Sequence, residues 1–387
     1  MNRITYLLSA ACALFFLPQY APASGARIVI DRGGSYVNQT YEGTVEVNTS
    51  ELVIFDDCSF LSSGNGIEVF HPDGGNVEIR NCTFTGLHPG QYGKTQGRSV
   101  HINGRGKSTT FVFENNAGTG FRGIWVQKMA YGATVRIKCN QWRNIEGRMS
   151  DGKGGYLAEP DPNPENSQFL LFTETTGAAV DIAWNFIQNE PGQSKVEDVI
   201  NVGGCKGGSA RPIRIAHNLI YGAYSYAPRS DKQYSGSGIQ IETNSAYVEI
   251  AGNVIVNAAN TGLALSWARR CTVRDNLILS TGLLPGTDDP ICQSWRGLLI
   301  GNPYWHPEDS RNNKAFGNRV WYVENLDPAG GCNISGKALA PIECLPGNTC
   351  TDNEIPEGLP GPADEAAAIE AWHVAAAKEG RSVGVQE

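Results

Sequence analysis

The strongest constraint on what this chain can fold into is a phrase it repeats: an apolar residue, two further residues, an asparagine, then a second apolar run. It reads 213-IRIAHNLIYGA-223, 248-VEIAGNVIVNA-258 and 271-CTVRDNLILSTG-282. The asparagines fall at Asn116, Asn140, Asn185, Asn218, Asn253, Asn276 and Asn318, and Cys58 and Cys82 hold the same place in 54-IFDDCSF-60 and 79-IRNCTF-84. Successive members are 24, 34, 24, 45, 33, 35, 23 and 42 residues apart. A floor of 23 with irregular excess describes a coil of fixed length carrying loops of variable length.

Each coil has three parts. A strand follows a glycine, as in Gly66-Ile67-Glu68-Val69, Gly123-Ile124-Trp125-Val126 and Gly238-Ile239-Gln240-Ile241; then come V-x-I-x-x-N and a short apolar strand. Alternation with period two puts the isoleucines on one face and the intervening residues on the other. Three such short strands cannot bury their inner faces alone, so the coils must stack. The asparagine then sits at the bend between second and third strands, where it tolerates a left-handed backbone and its amide bonds from coil to coil. The pattern predicts an all-β, single-stranded, right-handed parallel β-helix of about ten rungs, roughly 50 Å long at ~4.8 Å per rung. Cys58 and Cys82, in neighbouring rungs, are close enough for a disulfide or a buried thiol stack.

The N-terminus, MNRITYLLSAACALFFLPQYAPA, has a basic start, an apolar run and small residues at its end. It reads as a signal peptide over 1–23, cleaved after Ala23 or Ala26; a lipoprotein signal at Cys12 is disfavoured because the apolar run continues past it. No later segment reaches the ~18–20 apolar residues of a membrane span. The mature chain is expected to be secreted or periplasmic. Its remaining nine cysteines hold no CxxC or Cys/His metal spacing and read as staples and buried thiols, with Cys332, Cys344 and Cys350 clustered and Cys292 within reach of them. The β-helix is assigned to 27–330 and a cysteine-containing tail to 331–387. In that tail 363-ADEAAAIEAWHVAAAKEG-380 reads as an alanine-rich helix, an end cap or a loose appendage.

With these rungs and this asparagine ladder, the chain resembles the pectate-lyase-like right-handed parallel β-helix superfamily over roughly residues 28–325. The resemblance implies a secreted protein that binds a polysaccharide along one side of the rod, in a groove over the first strand of each rung. It does not select a chemistry, because that fold carries lyases, hydrolases, epimerases, esterases and adhesins. The polygalacturonase motifs are absent apart from Arg136-Ile137-Lys138, which falls on a second strand; the D-P-H-D of alginate epimerases and the aspartate cluster of calcium-dependent pectate lyases are also absent. Glu197-Asp198 could contribute to a Ca²⁺ site, without a clear motif.

Outward positions on the post-glycine strands are the candidates for chemistry. They include Glu68, His101, Asn103, Trp125, Gln127, Lys128, Thr173, Glu174, Asn201, Gln240, Glu242, Ser266, Trp267 and Arg269. Trp125 and Trp267 could stack on sugar rings or pack beneath a folded-over loop. The longest insertions, 146–168 and 222–238, precede the central post-glycine strands, where loops on a rigid scaffold build binding walls.

Charge sharpens this. The chain carries −8, which argues against nucleic acid as a partner. Residues 94–153 nevertheless hold eleven Lys/Arg against three Asp/Glu, including Arg98, Arg122, Lys128, Arg136, Lys138 and Arg148; residues 159–198 reverse the sign. A basic band would attract an anionic chain; the bland alternative is charges pointing several ways around the rod.

Three functions compete. A polysaccharide lyase (or epimerase) acting on a uronate would use Arg122, Arg269 or Lys128 to neutralise the carboxylate and Lys128 as base. A glycoside hydrolase would pair Glu174, Glu242 and Asp198 across neighbouring rungs. In either, His101, Trp125, Gln127, Asn201, Gln240, Trp267 and Arg269 would bind substrate. The third is a non-catalytic binder or surface protein. The basic band favours a lyase on an extracellular acidic polysaccharide.

Overall fold

A computed structural model describes residues 27–157, 167–230, 235–302, 309–326, 332 and 338–385. The signal segment 1–23 and part of the 146–168 insertion lie outside them. The chain winds into three eleven-stranded sheets, each built from every third strand, so that consecutive strands lie on different faces of one rod. This is the right-handed parallel β-helix. The first sheet runs from Arg27–Ile30 through Val100–Lys107, Ile124–Met129, Leu170–Thr173, Asp198–Gly203, Ser237–Glu242, Thr261–Leu265 and Arg296–Ile300 to Ile342–Cys344. All pairings are parallel except the last strand of the third sheet, Ala338–Leu339, which runs antiparallel to Arg319–Glu324.

Register follows the period-two pattern. On the first sheet the inward column reads Val45, Ile67, Val100, Ile124, Leu170, Ile200, Ile239, Leu263, Leu298 and Ile342. These aliphatics belong to one core that fills the rod, and each fully buried one is worth about 1.5–3 kcal/mol. The glycine before a first-sheet strand has a steric reason at Gly123: its φ is +75°, and a Cβ there would lie 2.3 Å from the Phe169 carbonyl oxygen of the next rung.

The asparagine ladder forms as expected and runs one rung further than the repeat showed, to Asn353. Each buried Nδ2 donates to the Oδ1 of the next asparagine, for example Asn140 to Asn185 at 2.8 Å, Asn185 to Asn218 at 2.8 Å and Asn218 to Asn253 at 2.9 Å. One detail differs. The left-handed residue is not the ladder asparagine but the one before it: Asn115, Cys139, Trp184, His217 and Asp275 have φ between 55° and 59°. That single left-handed step turns the chain, and the next side chain can then point inward. Cys58 and Cys82 continue the ladder as free, buried thiols, with the Cys58 N–H donating to Cys82 Sγ at 3.3 Å and the Cys82 N–H to Asn116 Oδ1 at 2.9 Å.

The rod passes the boundary at 330 read from sequence, because Ile342–Cys344 and Thr349–Thr351 add to the first and second sheets. Disulfides Cys292–Cys332 and Cys344–Cys350 join the C-terminal cysteines. The helix Pro362–Lys378 is neither an end cap nor loose: it lies along the flank of the third sheet. Trp372, Ala376 and Ala368 pack on Leu219, Val254, Val256 and Leu279, outward apolar residues that would otherwise face water. Trp372 Nε1 donates to the His217 carbonyl at 2.8 Å, and the buried Glu365 carboxylate accepts the Thr281 N–H at 2.8 Å. Among the described residues no helix is long and apolar enough to cross a membrane.

Candidate functional site

The outward column of the first sheet reads, rung by rung, Glu46, Glu68, His101, Trp125, Leu171, Asn201, Gln240, Ala264 and Leu299. Two residues further along the strands a second column reads Asn103, Gln127, Thr173, Gly203 and Glu242. Parallel in-register stacking therefore brings together residues tens of positions apart in sequence. Two clusters result.

The first cluster is aromatic. The His101 and Trp125 rings stack with centroids 4.1 Å apart, and Phe70 meets His101 edge-on at 4.6 Å. An amide N–H can only donate, so the Gln127 Nε2 that lies 2.8 Å from His101 Nε2 requires that nitrogen to accept, and the imidazole is neutral. Burial, then the charges of Arg98 and Arg122, pull the His101 pKa down to about 4. The Trp125 indole N–H donates to Thr173 Oγ1 at 3.1 Å. With one ring face against His101 and its N–H bonded, Trp125 is a rung of a stack rather than an open platform for a sugar.

The second cluster is acidic. Glu197 and Asp198 open the strand Asp198–Gly203, and Glu242 ends the neighbouring strand Ser237–Glu242. One Asn201 Nδ2 donates to Asp198 Oδ2 at 2.9 Å and to Glu242 Oε1 at 3.1 Å, so it holds the two carboxylates close together. Glu197 receives the Gln168 amide at 2.7 Å, and Gln168 Oε1 in turn accepts from Arg98 Nη2 at 2.9 Å. A guanidinium has no acceptor, so Arg98 fixes which end of Gln168 faces Glu197. Burial first, then Asp198 and Glu242, push the Glu197 pKa up to about 8, against the opposing pull of Gln168 and Arg98. At neutral pH Glu197 thus holds its proton.

Beside these acids lies a cavity of about 520 Å³ lined by Glu197, Gln240, Glu242, Thr243, Thr261, Ala264, Ser266, Trp267, Trp295, Leu299 and Asn302. Its tryptophans come from opposite corners: Trp267 follows the strand Thr261–Leu265 and Trp295 precedes Arg296–Ile300. Gln240 is buried and donates to Ser266 Oγ at 2.7 Å, while its Oε1 has no partner. Asp198, 1% exposed, lies beneath the site and does not line it.

Of the residues singled out from sequence, the fold gathers Asp198, Asn201, Gln240, Glu242 and Trp267 at this cavity and His101, Trp125 and Gln127 in the aromatic stack. It separates the rest. Lys128, inside the strand Ile124–Met129, and Glu174, just past Leu170–Thr173, both have left-handed backbones and face each other across 3.7 Å with exposed side chains. Arg122 stands by the aromatic stack, its carbonyl accepting from Arg98 Nη1 at 2.9 Å. Arg269 is at the far corner, 3.6 Å from Asp309. Glu197, Gln168 and Trp295 were not selected from sequence. Only the Glu197-Asp198 doublet left a signal there, read as a calcium ligand; among the described residues no three His, Cys, Asp or Glu side chains group as metal ligands.

The basic band does not form one surface, because strand neighbours alternate in sign. Arg136 meets Glu114 at 3.3 Å, Lys138 pairs with Asp181, and Arg148 meets Glu146 at 2.6 Å. Arg98 is buried under the first sheet's edge.

No protein-family model matches this chain, and no curated protein matches it. Solved structures with similarity include a PL6-family polysaccharide lyase from Pseudopedobacter saltans (13% identity, TM-score 0.37, covering 86% of this chain and 87% of that one). The periplasmic alginate epimerase AlgG aligns at 8% identity and TM-score 0.35, over 85% of this chain and 76% of its own. The tailspike protein of Dettilon aligns at 13% identity and TM-score 0.30, over 76% of this chain and 54% of its own.

Proposed function

We propose that the protein is an exported glycoside hydrolase that cleaves an extracellular polysaccharide at the acidic cavity, with Glu197 as general acid and Glu242 as the second carboxyl group. The observation that carries this reading is a buried carboxyl group, Glu197, whose pKa is raised to about 8 by burial first and then by Asp198 and Glu242, at the mouth of a tryptophan-walled cavity. Glycosidic cleavage needs such a pair. The Glu197 proton passes to the glycosidic oxygen as the bond to the anomeric carbon breaks. Water adds to that carbon, and its proton moves towards Glu242. Asp198 raises the affinity of Glu197 for its proton and, through Asn201, orients Glu242. Export is supported by the signal-like N-terminus and by two disulfides, which persist in oxidising compartments.

β-Elimination at a uronate is the competing chemistry. It would need Lys128 as base beside Arg122 or Arg269, but Arg122 and Lys128 lie at opposite ends of the strand Ile124–Met129 and Arg269 lies rungs away, past Thr261–Leu265. The test is incubation of the mature protein with neutral, amino-sugar and acidic polysaccharides, following reducing ends and the absorbance of unsaturated uronates together. Reducing ends without absorbance, lost in Glu197→Gln and Glu242→Gln, is the expected result. Rising absorbance would sink hydrolysis in favour of elimination.

A further inference from the structure

Among the described residues the lining of the acidic cavity holds Glu197 and Glu242 and not one Lys, Arg or His. The nearest cation in the hydrogen-bond chain, Arg98, is shielded from the cavity by Gln168. Glu197, Asp198 and Glu242 each accept from a side-chain amide. A second, independent feature points the same way. Gln240, 4% exposed, lines the cavity with an Oε1 that accepts nothing, although its Nε2 is fixed by Ser266. A buried carbonyl oxygen left without a donor costs about 1–3 kcal/mol, so a partner supplied by ligand is favoured. Gln240 and Glu242 lie two residues apart on one strand and project to the same side, which makes them a paired acceptor. Trp267 and Trp295 add ring walls, the surface that attracts a desolvated cation.

From this lining, two carboxyl groups and an unpaired Gln240 Oε1 with no cation among the described residues, we propose that the sugar seated in the cavity carries a free ammonium group, which donates to Gln240 Oε1 and to the Glu242 carboxylate. The ligand class is an oligosaccharide containing de-N-acetylated amino sugar. An ammonium has three donors and a positive charge to offer these acceptors. A uronate would bring a further carboxylate beside the carboxyl groups of Glu197 and Glu242. An N-acetyl group removes the charge and leaves one donor. This inference rests on the cavity's being the sugar site, as in the hydrolytic reading, but it concerns recognition and can be tested without turnover.

The experiment is calorimetric titration of the full mature chain with glucosamine oligomers, N-acetylglucosamine oligomers of equal length and oligogalacturonate. Glucosamine oligomers should bind at least about tenfold tighter than the acetylated ones, the worth of one charge-assisted hydrogen bond. Their binding should weaken as salt is raised, and oligogalacturonate should not compete. Glu242→Gln should abolish the preference. Gln240→Leu should reduce it several-fold, whereas Gln240→Glu, which keeps an acceptor and adds charge, should restore or increase it; thermal unfolding of each variant checks its fold. Equal or tighter binding of the acetylated or uronate oligomers, or no binding of glucosamine oligomers, overturns the proposal. Tight binding of glucosamine oligomers without cleavage would leave the ligand class standing and remove the hydrolysis. Cleavage confined to neutral or acidic chains would do the reverse.

Discussion

The asparagine ladder and the acidic cavity are built by the same device and differ in one respect. Both stack buried polar side chains on successive rungs. In the ladder every amide closes on its neighbours: Asn218 Nδ2 donates to Ile182 O and Asn253 Oδ1, and Asn218 Oδ1 accepts from Asn185. In the cavity one Asn201 serves two carboxylates, and Gln240 Oε1 is left over. A closed stack has nothing to offer a ligand and serves stability alone. An open one is costly to keep and poised to bind. Removing a residue from either should therefore have opposite signatures.

The largest expected effect is on turnover. Glu197→Gln and Glu242→Gln should each lower kcat by about 10²–10⁴-fold, the usual worth of a positioned acid or base, measured by release of reducing ends. Both variants should remain folded. Glu197→Gln should unfold at a higher temperature than the parent at pH 8, because it replaces a disfavoured charge with a neutral amide that can still accept from Gln168.

The ladder should behave the other way. Asn218→Ala removes the acceptor of the Asn185 backbone N–H, one of the two acceptors of the Asn185 side-chain amide and the side-chain donor to the Ile182 carbonyl, and should cost about 3 kcal/mol, read from denaturant unfolding. Among molecules that remain folded, turnover at the cavity should stay close to the parent's. A large fall in kcat there would break the distinction between the closed and open stacks.

That distinction was only half legible in the sequence. The ladder, the inward isoleucines and the rung count follow from local periodicity, and loops of any length leave such a pattern intact. The ladder's turn was misread by one residue, because a left-handed step at His217 or Trp184 carries no compositional signature, unlike one at glycine. The helix was legible from its alanines, but its berth was not. Leu219 and Val254 look like ordinary strand residues until the sheet shows that they face outward. The cavity depends on register across long insertions: Gln168 reaches Glu197 over 29 residues, and Trp295 reaches the same cavity from the far side of another loop. The basic band misled for a related reason. A run of charges counted along the chain is divided among three faces and answered by carboxylates one rung away, as Lys138 is by Asp181.

A smaller effect follows from pH. The Glu197 carboxyl has an ordinary value of 4.5 and is raised to about 8 by burial and its acidic neighbours. Between those values the folded state binds more protons than the unfolded one, so Glu197 makes stability fall as pH rises through the window. The difference in stability between pH 5 and pH 8 should shrink in Glu197→Gln, and kcat should decline on the alkaline side near pH 8. Gln168→Leu removes a donor that favours the charged form and should move that decline upward. A decline unaffected by either substitution would separate the titrating group from Glu197.

The smallest effect is expected at Lys128, which belongs to neither stack. Its ammonium meets Glu174 at 3.7 Å with the two side chains 46% and 60% exposed, so water screens the pair and supplies alternative partners to both. Lys128→Ala should change stability by no more than about 0.5 kcal/mol. It should also leave kcat within about twofold, since by the hydrolytic reading Lys128 neither touches the cavity nor orients anything that does; its value here is as a control. The residue sits on the same sheet as the acids and in the segment richest in positive charge, so a charge-attraction mechanism predicts a substantial loss and a weaker salt dependence in the variant. If Lys128→Ala abolished activity while Glu242→Gln did not, the site would move along the sheet to the rung of Ile124–Met129 and the reaction would be elimination.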